Sequence, residues 1–500
     1  MLFNSPEFLF AFFPIAFVGY RLALLAGRAA AVFWLGACSL FFYSWWDVCS
    51  LPILAVSIAT NYCIGVSINR SKGTRGGVSS RALMILGVGV NLLTLGYYKY
   101  AAFLVLQLGA VVNLPSYVFR HIELPIGISF FTFTQIAYLV DVYRGDAREY
   151  NPIDYALFVS YFPHLIAGPI LHHKDMMPQF QALTARSVSA VTIATGLGIL
   201  GVGLGKKLLL ADPLGVYASS FFNGVATGGL PTFFDSALGT TAYTFQLYFD
   251  FSGYSDMAVG ISVVFGIVLP VNFLSPYKSR SIAEFWRRWH ITLSSFLRDY
   301  LYISLGGNRH GSARRYVNLL LTMMLGGIWH GAGWTFLLWG LLHGMYLMIN
   351  HAWKSLRESV VLLRTLEPVL RYVYLPLTFA AVAAAWIPFR ALSLHDAGKV
   401  FAGLLGSHGV VLPNQVIGML PMLGRFVQGQ GTVPLLADGT IMGLAELLVL
   451  LVVAAWVSFG FRNTTQMSHR TRVTVVALLM PLLLQKIFFG GKVEFLYFQF

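Results

Sequence analysis

Three histidines lie within or beside apolar stretches in the second half of the chain. His290 closes the segment FWRRWH, His330 lies in LGGIWHGAG, and His343 lies in LLWGLLHG. Ionisable side chains are costly inside a bilayer, so those within apolar runs are functional candidates. A neutral imidazole, whose reference pKa is about 6.5, can take a proton from a hydroxyl group and later return it. These residues therefore predict acid–base chemistry on a hydroxyl group.

His330 is the strongest candidate of the three. It lies between Trp329 and Gly331, and the glycine allows close approach of another helix or of a substrate. A histidine that only hydrogen-bonds between helices is the alternative, but a glycine-broken membrane segment favours function. His290 could instead belong to an amphipathic helix whose arginines reach lipid phosphates. A straight helix would put His343 about 20 Å beyond His330, so its role stays open.

Four further polar positions are weaker candidates for supporting roles. Arg298 and Asp299 are adjacent and are better explained as an ion pair or a helix cap. Asp250 lies in FDFSGYSDMAVG, six residues before Asp256, a spacing that keeps the two carboxylates off one helix face and argues against an acid–base pair. His164 precedes a Gly-Pro kink in FPHLIAGPI, where a packing role and a place in a tunnel wall are equally supported.

The composition is that of a membrane protein. Hydrophobic residues make up 57% and charged residues 11% of the 500, against about 25% charged in a soluble chain. The net charge of +14 comes from short basic segments between apolar runs, which orient helices and do not form a nucleic-acid face. Cys38, Cys49 and Cys63 fit neither a disulfide framework nor a metal site. The sequence contains no nucleotide-binding, esterase or metal-ligand motif.

Membrane-spanning helices need roughly 20 mostly apolar residues. The apolar runs that meet this length, some of which could be re-entrant or interfacial, are 8–25, 29–46, 51–68, 82–98, 100–115, 124–143, 153–171, 188–210, 235–252, 254–271, 317–350, 373–390, 441–460 and 473–490. The run 317–350 is too long for one pass and has glycines at its middle, which predicts a hairpin or a broken helix. A break at Ser252–Gly253 separates two of the other runs.

Basic loops predict the orientation of these spans. The basic residues after the third run, those of 278–315 and those of 351–372 indicate the cytoplasmic side. Both termini and the segment 391–440 then lie outside. The first run is a retained helix and not a signal peptide, because it lacks a basic start and a cleavage site. We predict one membrane domain over 1–490, followed by a tail at 491–500.

The combined motifs resemble those of a known family. The segments FWRRWHITLSSFLRDYLYISLGGNRHG, IWHGAGWTFLLWGLLHG, FDFSGYSDMAVG and YFPHLIAGPI are similar to those of bacterial membrane-bound O-acyltransferases, and are nearest to the membrane component of alginate O-acetylation. The resemblance spans nearly the whole chain. It implies an all-α polytopic protein of the bacterial inner membrane, shaped as a multi-helix funnel whose re-entrant or broken region carries the catalytic histidine.

By this resemblance, His330 is the catalytic histidine and His290 occupies the second motif position. The funnel wall would include His343, Trp329, Asp299, Arg298, Asp250 and His164. The donor would be cytoplasmic acetyl-CoA, and no metal or covalently bound cofactor is implied. Acetyl groups would reach an exopolysaccharide, with alginate as the first expectation, through a periplasmic SGNH-like acetyltransferase. Cellulose and peptidoglycan are alternative polymers.

The tail KVEFLYFQF resembles a C-terminal motif of this subgroup in which a tyrosine is proposed to carry the acyl group. In this chain that tyrosine is Tyr497. An engineered protease-site scar would give similar letters, but Phe500 argues against it. Two other functional classes stay open. A secondary transporter should show two related halves with paired helix breaks, and a scaffold of an export complex would need no buried histidine.

Overall fold

The structure is a computed structural model that describes residues 1–72, 79–112, 122–148, 151–184, 188–411, 441–491, 493 and 495–496. Helices dominate these residues, and none of them lies in a strand. Within the described ranges, seven helices are long and apolar enough to cross a membrane. The predicted all-α, multi-pass architecture is therefore confirmed.

The helices follow one another with short connections. In chain order they are α1 Phe13–Ala26, α2 Arg28–Ser44, α3 Leu51–Ser71, α4 Ser80–Val112, α5 Ile128–Arg144, α6 Pro152–Ser160, α7 Phe162–Leu165, α8 His173–Gln181, α9 Ala190–Gly205, α10 Asp212–Ala226, α11 Phe233–Val264, α12 Ile282–Arg288, α13 Ile291–Phe296, α14 Gly311–His330, α15 Trp334–Ser359, α16 Val361–Arg390, α17 Leu394–Leu404, α18 Ile441–Gly460 and α19 His469–Phe489. Wider π-helical turns occupy Phe8–Phe12, Lys206–Ala211 and Leu297–Tyr302.

The chain sorts into two compact units. The first unit comprises residues 1–204, 254–272 and the C-terminal part from Met467. In it α1 packs on α2, and α3 packs on α4 and α5. Asn61 of α3 and Asn91 of α4 exchange hydrogen bonds between their amide groups, at 2.6 and 3.3 Å, which satisfies both buried side chains. Such a pair also fixes how the two helices align, because buried amides need partners.

The second unit comprises residues 205–253 and 273–466 and contains the three histidines of interest. Its central element is a hairpin of α14 and α15, which pack along each other. Helix α16 packs on α15, and α17 packs on α16. The run 317–350 is thus two helices joined at residues 331–333, so the predicted hairpin is confirmed.

Several predicted span boundaries are wrong. Residues 82–112 of the runs 82–98 and 100–115 lie in the single helix α4, and residues 235–264 of the runs 235–252 and 254–271 lie in the single helix α11. The predicted break at Ser252–Gly253 is absent, and both residues lie inside α11. They are buried, and tertiary packing can override the low helix propensity of a glycine. The run 153–171 is instead two short helices, α6 and α7. The prediction of one domain over 1–490 stays a prediction, and much of the segment 391–440 lies outside the described residues.

Glycine contacts hold the α14–α15 hairpin together. A Cβ atom at Gly340 would lie 2.4 Å from the backbone oxygen of Met323, too close for any side chain. We expect Gly340→Ala to lower the free energy of unfolding by about 1–3 kcal/mol, the usual cost of overpacking. The control is Gly36→Ala, where nothing lies within 4 Å. Thermal unfolding in detergent should show a lower midpoint for Gly340→Ala alone; equal midpoints would contradict the close packing.

Candidate active site

The break between α14 and α15 places His330. This residue ends α14, and Gly331 and Gly333 have extended backbones, with φ of −165° and −171°, before Trp334 starts α15. The Gly333 N–H donates to the Gly331 carbonyl at 3.1 Å. The imidazole therefore sits where two helices meet an irregular turn, as the glycine-rich sequence predicts. Its side chain is buried, with 5% of the residue exposed.

Aromatic rings enclose His330. Its ring centroid lies 4.8 Å from that of Trp329, 5.0 Å from Trp339 and 5.2 Å from Phe389, all in edge-on arrangements. Edge-on packing at these distances is favourable beyond simple burial. The imidazole is thus held by the second unit and does not lie on its outer surface.

His290 joins the same cluster with an unusual backbone. It precedes α13 with φ 41° and ψ 55°, in the left-handed region, where a residue with a side chain is uncommon. It is fully buried, its ring lies 4.8 Å edge-on to Phe251, and it is 6.4 Å from Trp329. Trp329 therefore lies beside both His290 and His330. Strained backbone of this kind persists only where the surrounding structure holds it, and it often marks functional sites.

His343 has a defined hydrogen-bonding state. The Trp286 indole N–H donates to His343 Nδ1 at 3.3 Å, so Nδ1 is unprotonated and the ring proton of a neutral imidazole is on Nε2. Within the described part of the chain, His343 Nε2 has no hydrogen-bond partner although it is buried. This buried N–H group is available to a ligand.

The hairpin brings His343 close to His330. Each ring centroid lies within 5.0 Å of that of Trp339, so the two imidazoles are at most about 10 Å apart. The separation of about 20 Å expected for a straight helix is wrong, because the chain reverses at residues 331–333. The structure therefore unites His290, His330 and His343 with Trp329, as one cluster of rings.

The remaining predicted site residues lie elsewhere. Arg298 and Asp299 form a bidentate ion pair, at 2.6 and 2.9 Å, with the arginine side chain 62% exposed, so this pair does not line a buried site. His164 belongs to the first unit, where its Nε2 bonds the Phe158 carbonyl at 2.9 Å, which supports the packing role. Tyr497 lies outside the described residues.

Asp250 belongs to a buried charge cluster that sequence reasoning missed. Lys207 Nζ lies 2.6 Å from Asp250 Oδ1 and 2.8 Å from Asp212 Oδ1, and only 1% of the lysine side chain is exposed. Asp250 precedes Phe251, the ring that packs on His290. The signal in the sequence was a lysine at the end of an apolar run. The same rule, that an ionisable residue within an apolar run is a functional candidate, had singled out the histidines.

Among the described residues, no three His, Cys, Asp or Glu side chains are arranged to hold a metal ion. The acid–base groups of this unit include three imidazoles among aromatic rings and one cluster of a lysine with two carboxylates. This arrangement suits proton transfer to and from a hydroxyl group, in surroundings that exclude water.

Comparison with known proteins identifies the family. Residues 43–370 match the model of the membrane-bound O-acyltransferase family. The chain belongs to this family. This chain is 38% identical to a peptidoglycan O-acetyltransferase of Helicobacter pylori, with 100% of this chain and 98% of the relative covered. It is 45% identical to a probable alginate O-acetylase, AlgI, of Pseudomonas putida, with 81% and 80% covered.

A third relative extends the comparison to another acyl group. A teichoic acid D-alanyltransferase of Streptococcus thermophilus is 30% identical over 47% of this chain and 59% of its own length. The family and the acetyltransferase relatives make the protein a multi-pass membrane O-acyltransferase. The ring cluster of the second unit lies within the matched residues 43–370, except for Phe389 of α16.

Gly331 tests whether the turn positions His330. A Cβ atom at this position would lie 2.1 Å from the Phe336 ring, which packs on Phe389, the neighbour of His330. We expect Gly331→Ala to displace these rings and lower acyltransferase turnover roughly 100-fold, since small misplacements of catalytic groups are costly.

The matched control is Gly333→Ala, whose Cβ would meet nothing closer than 3.5 Å. Turnover by purified protein, normalised to folded protein from circular dichroism, provides the comparison. Equal activity of the two variants would show that the turn does not position His330.

Proposed function

We propose that this membrane O-acetyltransferase moves acetyl groups from cytoplasmic acetyl-CoA to a hydroxyl acceptor for O-acetylation of a cell-envelope polysaccharide. The observation that carries the proposal is the buried His330 imidazole at a helix break, within one ring cluster with His290 and His343. The choice of an acetyl group and of a cell-envelope polymer is supported by the names of two relatives, a peptidoglycan O-acetyltransferase and a probable alginate O-acetylase.

In the proposed mechanism, His330 acts first as base and then as acid. Its neutral imidazole takes the proton of an acceptor hydroxyl while that oxygen attacks the thioester carbonyl. The C–S bond then breaks, and the imidazolium returns the proton to the departing CoA sulfur, which leaves acetyl ester and free thiol. The surrounding tryptophan and phenylalanine rings keep water from the thioester, which limits hydrolysis.

His343 has the geometry of a hydrogen-bond donor in this scheme. Its Nε2–H lacks a protein partner within the described part of the chain, and Trp286 fixes the tautomer. A donor held in place before the reaction can stabilise negative charge on the carbonyl oxygen of the thioester. His290 is fixed by its left-handed backbone beside Trp329, and we assign it the support of the same reacting centre.

The proposed orientation places the donor side in the cytoplasm. Residues 278–315 carry eight Lys and Arg against two acidic residues, which favours the cytoplasmic side. We count α1, α2, α3, α4, α5, α9–α10 and α11 as crossings before residue 278, which is an odd number; of these, α1, α3, α4 and α9–α10 are long and apolar enough to span a membrane. An N-terminus outside the inner membrane is consistent with that count.

We further propose that Tyr497 receives the acetyl group and passes it to a periplasmic SGNH-like acetyltransferase. Phe495 and Leu496 are buried in the first unit, with 1% and 7% exposed, and the Phe495 ring lies 4.8 Å from that of Tyr254. This anchor limits the reach of the chain that follows. A phenol has a pKa near 10, so its oxygen is easier to deprotonate than a sugar hydroxyl.

Two polymers are supported as the final acceptor. Alginate is favoured by the relatives at 45% identity, and peptidoglycan is favoured by a relative that matches this chain along 100% of its length. Acetyl content of the exopolysaccharide and of the peptidoglycan in a strain lacking the protein decides between them, because only the true acceptor loses its acetyl groups. Cellulose stays a further alternative.

Replacement of His330 tests the chemistry. We expect His330→Ala to insert normally but to lose acetyl transfer by about 100-fold to 10,000-fold, the usual contribution of an acid–base residue. The control is His395→Ala, an exposed histidine of α17. Thioester turnover by the purified proteins is the measurement, and near-normal turnover without this imidazole would refute the mechanism. A transporter or a scaffold should give no thioester turnover in the wild-type protein either.

Tyr497→Phe tests the relay. Loss of the phenol oxygen removes the acceptor, so polymer acetylation should stop while acetyl-CoA hydrolysis stays measurable. Tyr97→Phe, at a half-exposed position of α4, is the matched control. Polymer acetyl content in cells and CoA release in vitro give the two readouts. Unchanged polymer acetylation in Tyr497→Phe would exclude the tyrosine as carrier.

A further inference from the structure

Trp339 carries a buried N–H group that takes no part in the proton transfer by His330. The residue is 1% exposed, and its indole Nε1 has no hydrogen-bond partner among the residues that the structure describes. Buried N–H groups are nearly always paired in native proteins, because an unpaired one loses its bond to water and gains nothing in return. The exceptions are often filled by a ligand or an ordered water. The unpartnered indole N–H therefore points to an occupant.

The neighbours of Trp339 are the groups of the proposed reacting centre. Its ring centroid lies 5.0 Å from that of His330, with an interplanar angle of 85°, and 4.9 Å from that of His343. Trp339 and His343 are four residues apart on α15, so they are neighbours on one face of the helix, about 6 Å apart along its axis. The indole is thus in contact with both imidazoles to which the mechanism gives a role.

A second N–H group beside it is unpartnered as well. The Trp286 indole N–H donates to His343 Nδ1 at 3.3 Å, which leaves the ring proton of neutral His343 on Nε2. Within the described ranges, His343 Nε2 also lacks a hydrogen-bond partner, and His343 is 0% exposed. Two unpartnered donors therefore occur one helical turn apart, in a region that bulk water does not reach.

Packing holds the indole of Trp339 in place. The ring stacks on Trp386 at a centroid distance of 5.8 Å and an angle of 18°, and the Phe389 ring lies 5.3 Å away. The next residue, Gly340, lies so close to the Met323 backbone of α14 that it has no room for a side chain. A donor fixed in this way does not have to reorganise when charge develops on a substrate.

The proposed reaction has one atom that needs neutral N–H donors, which is the carbonyl oxygen of the thioester. When the acceptor oxygen attacks the carbonyl carbon, the electrons of the C=O π-bond move onto the carbonyl oxygen, and they return when the C–S bond breaks. A donor aimed at the attacking hydroxyl would instead hold the lone pair that forms the new bond. A cation beside His330 would disfavour the imidazolium that forms during transfer, whereas a neutral donor does not.

We propose that Trp339 is a catalytic hydrogen-bond donor, whose indole N–H binds the thioester carbonyl oxygen together with His343 Nε2–H. The inference rests on the proposed acyl transfer from acetyl-CoA by His330 and adds a second donor to it. Both N–H groups keep their protons throughout, and they stabilise the negative charge on oxygen until the C–S bond breaks. A preorganised donor of this kind contributes roughly 100-fold to 1,000-fold to the rate.

A permanently bound water is the alternative occupant. Such a water would satisfy both N–H groups, as buried waters commonly do. It would also lie beside a thioester that the surrounding rings otherwise protect from hydrolysis. The two occupants differ in what they predict, because loss of the Trp339 N–H slows the reaction only if that group contacts the carbonyl oxygen.

The test removes the N–H group and keeps the ring. Benzothienylalanine, incorporated in place of Trp339, has sulfur where the indole has N–H and retains the bicyclic shape. We expect kcat for acetyl transfer to fall about 100-fold, while the KM for acetyl-CoA stays within about threefold, because the contact strengthens in the transition state. The matched control is the same replacement at Trp456, which is 62% exposed on α18.

Thermal unfolding in detergent separates chemistry from packing. The midpoint should be the same for wild-type protein and for both replaced proteins. Near-normal kcat without the Trp339 N–H would overturn the assignment and would favour a bound water. A fall in kcat that comes with a lower midpoint and a raised KM would show a packing role and would overturn it too. Wild-type protein that does not turn over acetyl-CoA would mean that the proposed function itself has failed, which is a different result.

Infrared spectroscopy detects the contact without the reaction. In the His330→Ala variant, bound isotope-labelled acetyl-CoA should show its thioester carbonyl stretch at a lower frequency than in solution, because hydrogen bonds polarise the C=O bond. Benzothienylalanine in place of Trp339 should move this band back toward its solution frequency. An unchanged band would contradict a contact between Trp339 and the carbonyl oxygen, whereas wild-type protein that binds no acetyl-CoA would refute the proposed donor.

Discussion

The site depends on one constraint, which is that the chain reverses direction at residues 331–333 between two long helices. Irregular backbone that is buried must find its hydrogen bonds within the protein. Here the Gly331 carbonyl accepts from Gly333 N–H, and the Leu337 N–H donates to the Gly333 carbonyl at 3.3 Å. The helices on either side approach so closely that a Cβ atom at Gly327 would lie 2.3 Å from the Phe336 carbonyl oxygen. This reversal brings both His330 and His343 against the ring of Trp339, with centroid distances of 5.0 and 4.9 Å.

Aromatic rings and charges are kept apart around this turn. The three imidazoles pack on tryptophan and phenylalanine, while the buried Lys207 and Asp250 of the same unit pair with each other. A buried charge without partners would be costly, and it would also impose its field on the imidazoles. Two neutral groups of the site, His343 Nε2 and Trp339 Nε1, are buried without protein partners among the described residues. Burying an unpartnered neutral N–H group costs less free energy than burying an unpartnered charge. Groups of this kind are normally satisfied, so their presence beside His330 points to a ligand.

The sequence predicted the helix break beside His330 better than it predicted the boundaries of the other helices. His330 and the hairpin followed from a buried ionisable residue beside glycines, which is a local signal. The single helices α4 and α11 did not follow, because Ser252 and Gly253 resemble a break when their packing partners are unknown. The left-handed backbone of His290 and the proximity of His343 both depend on tertiary contacts that no spacing rule contains. Lys207 was within reach of sequence reasoning, since an apolar run with a buried lysine calls for a partner carboxylate.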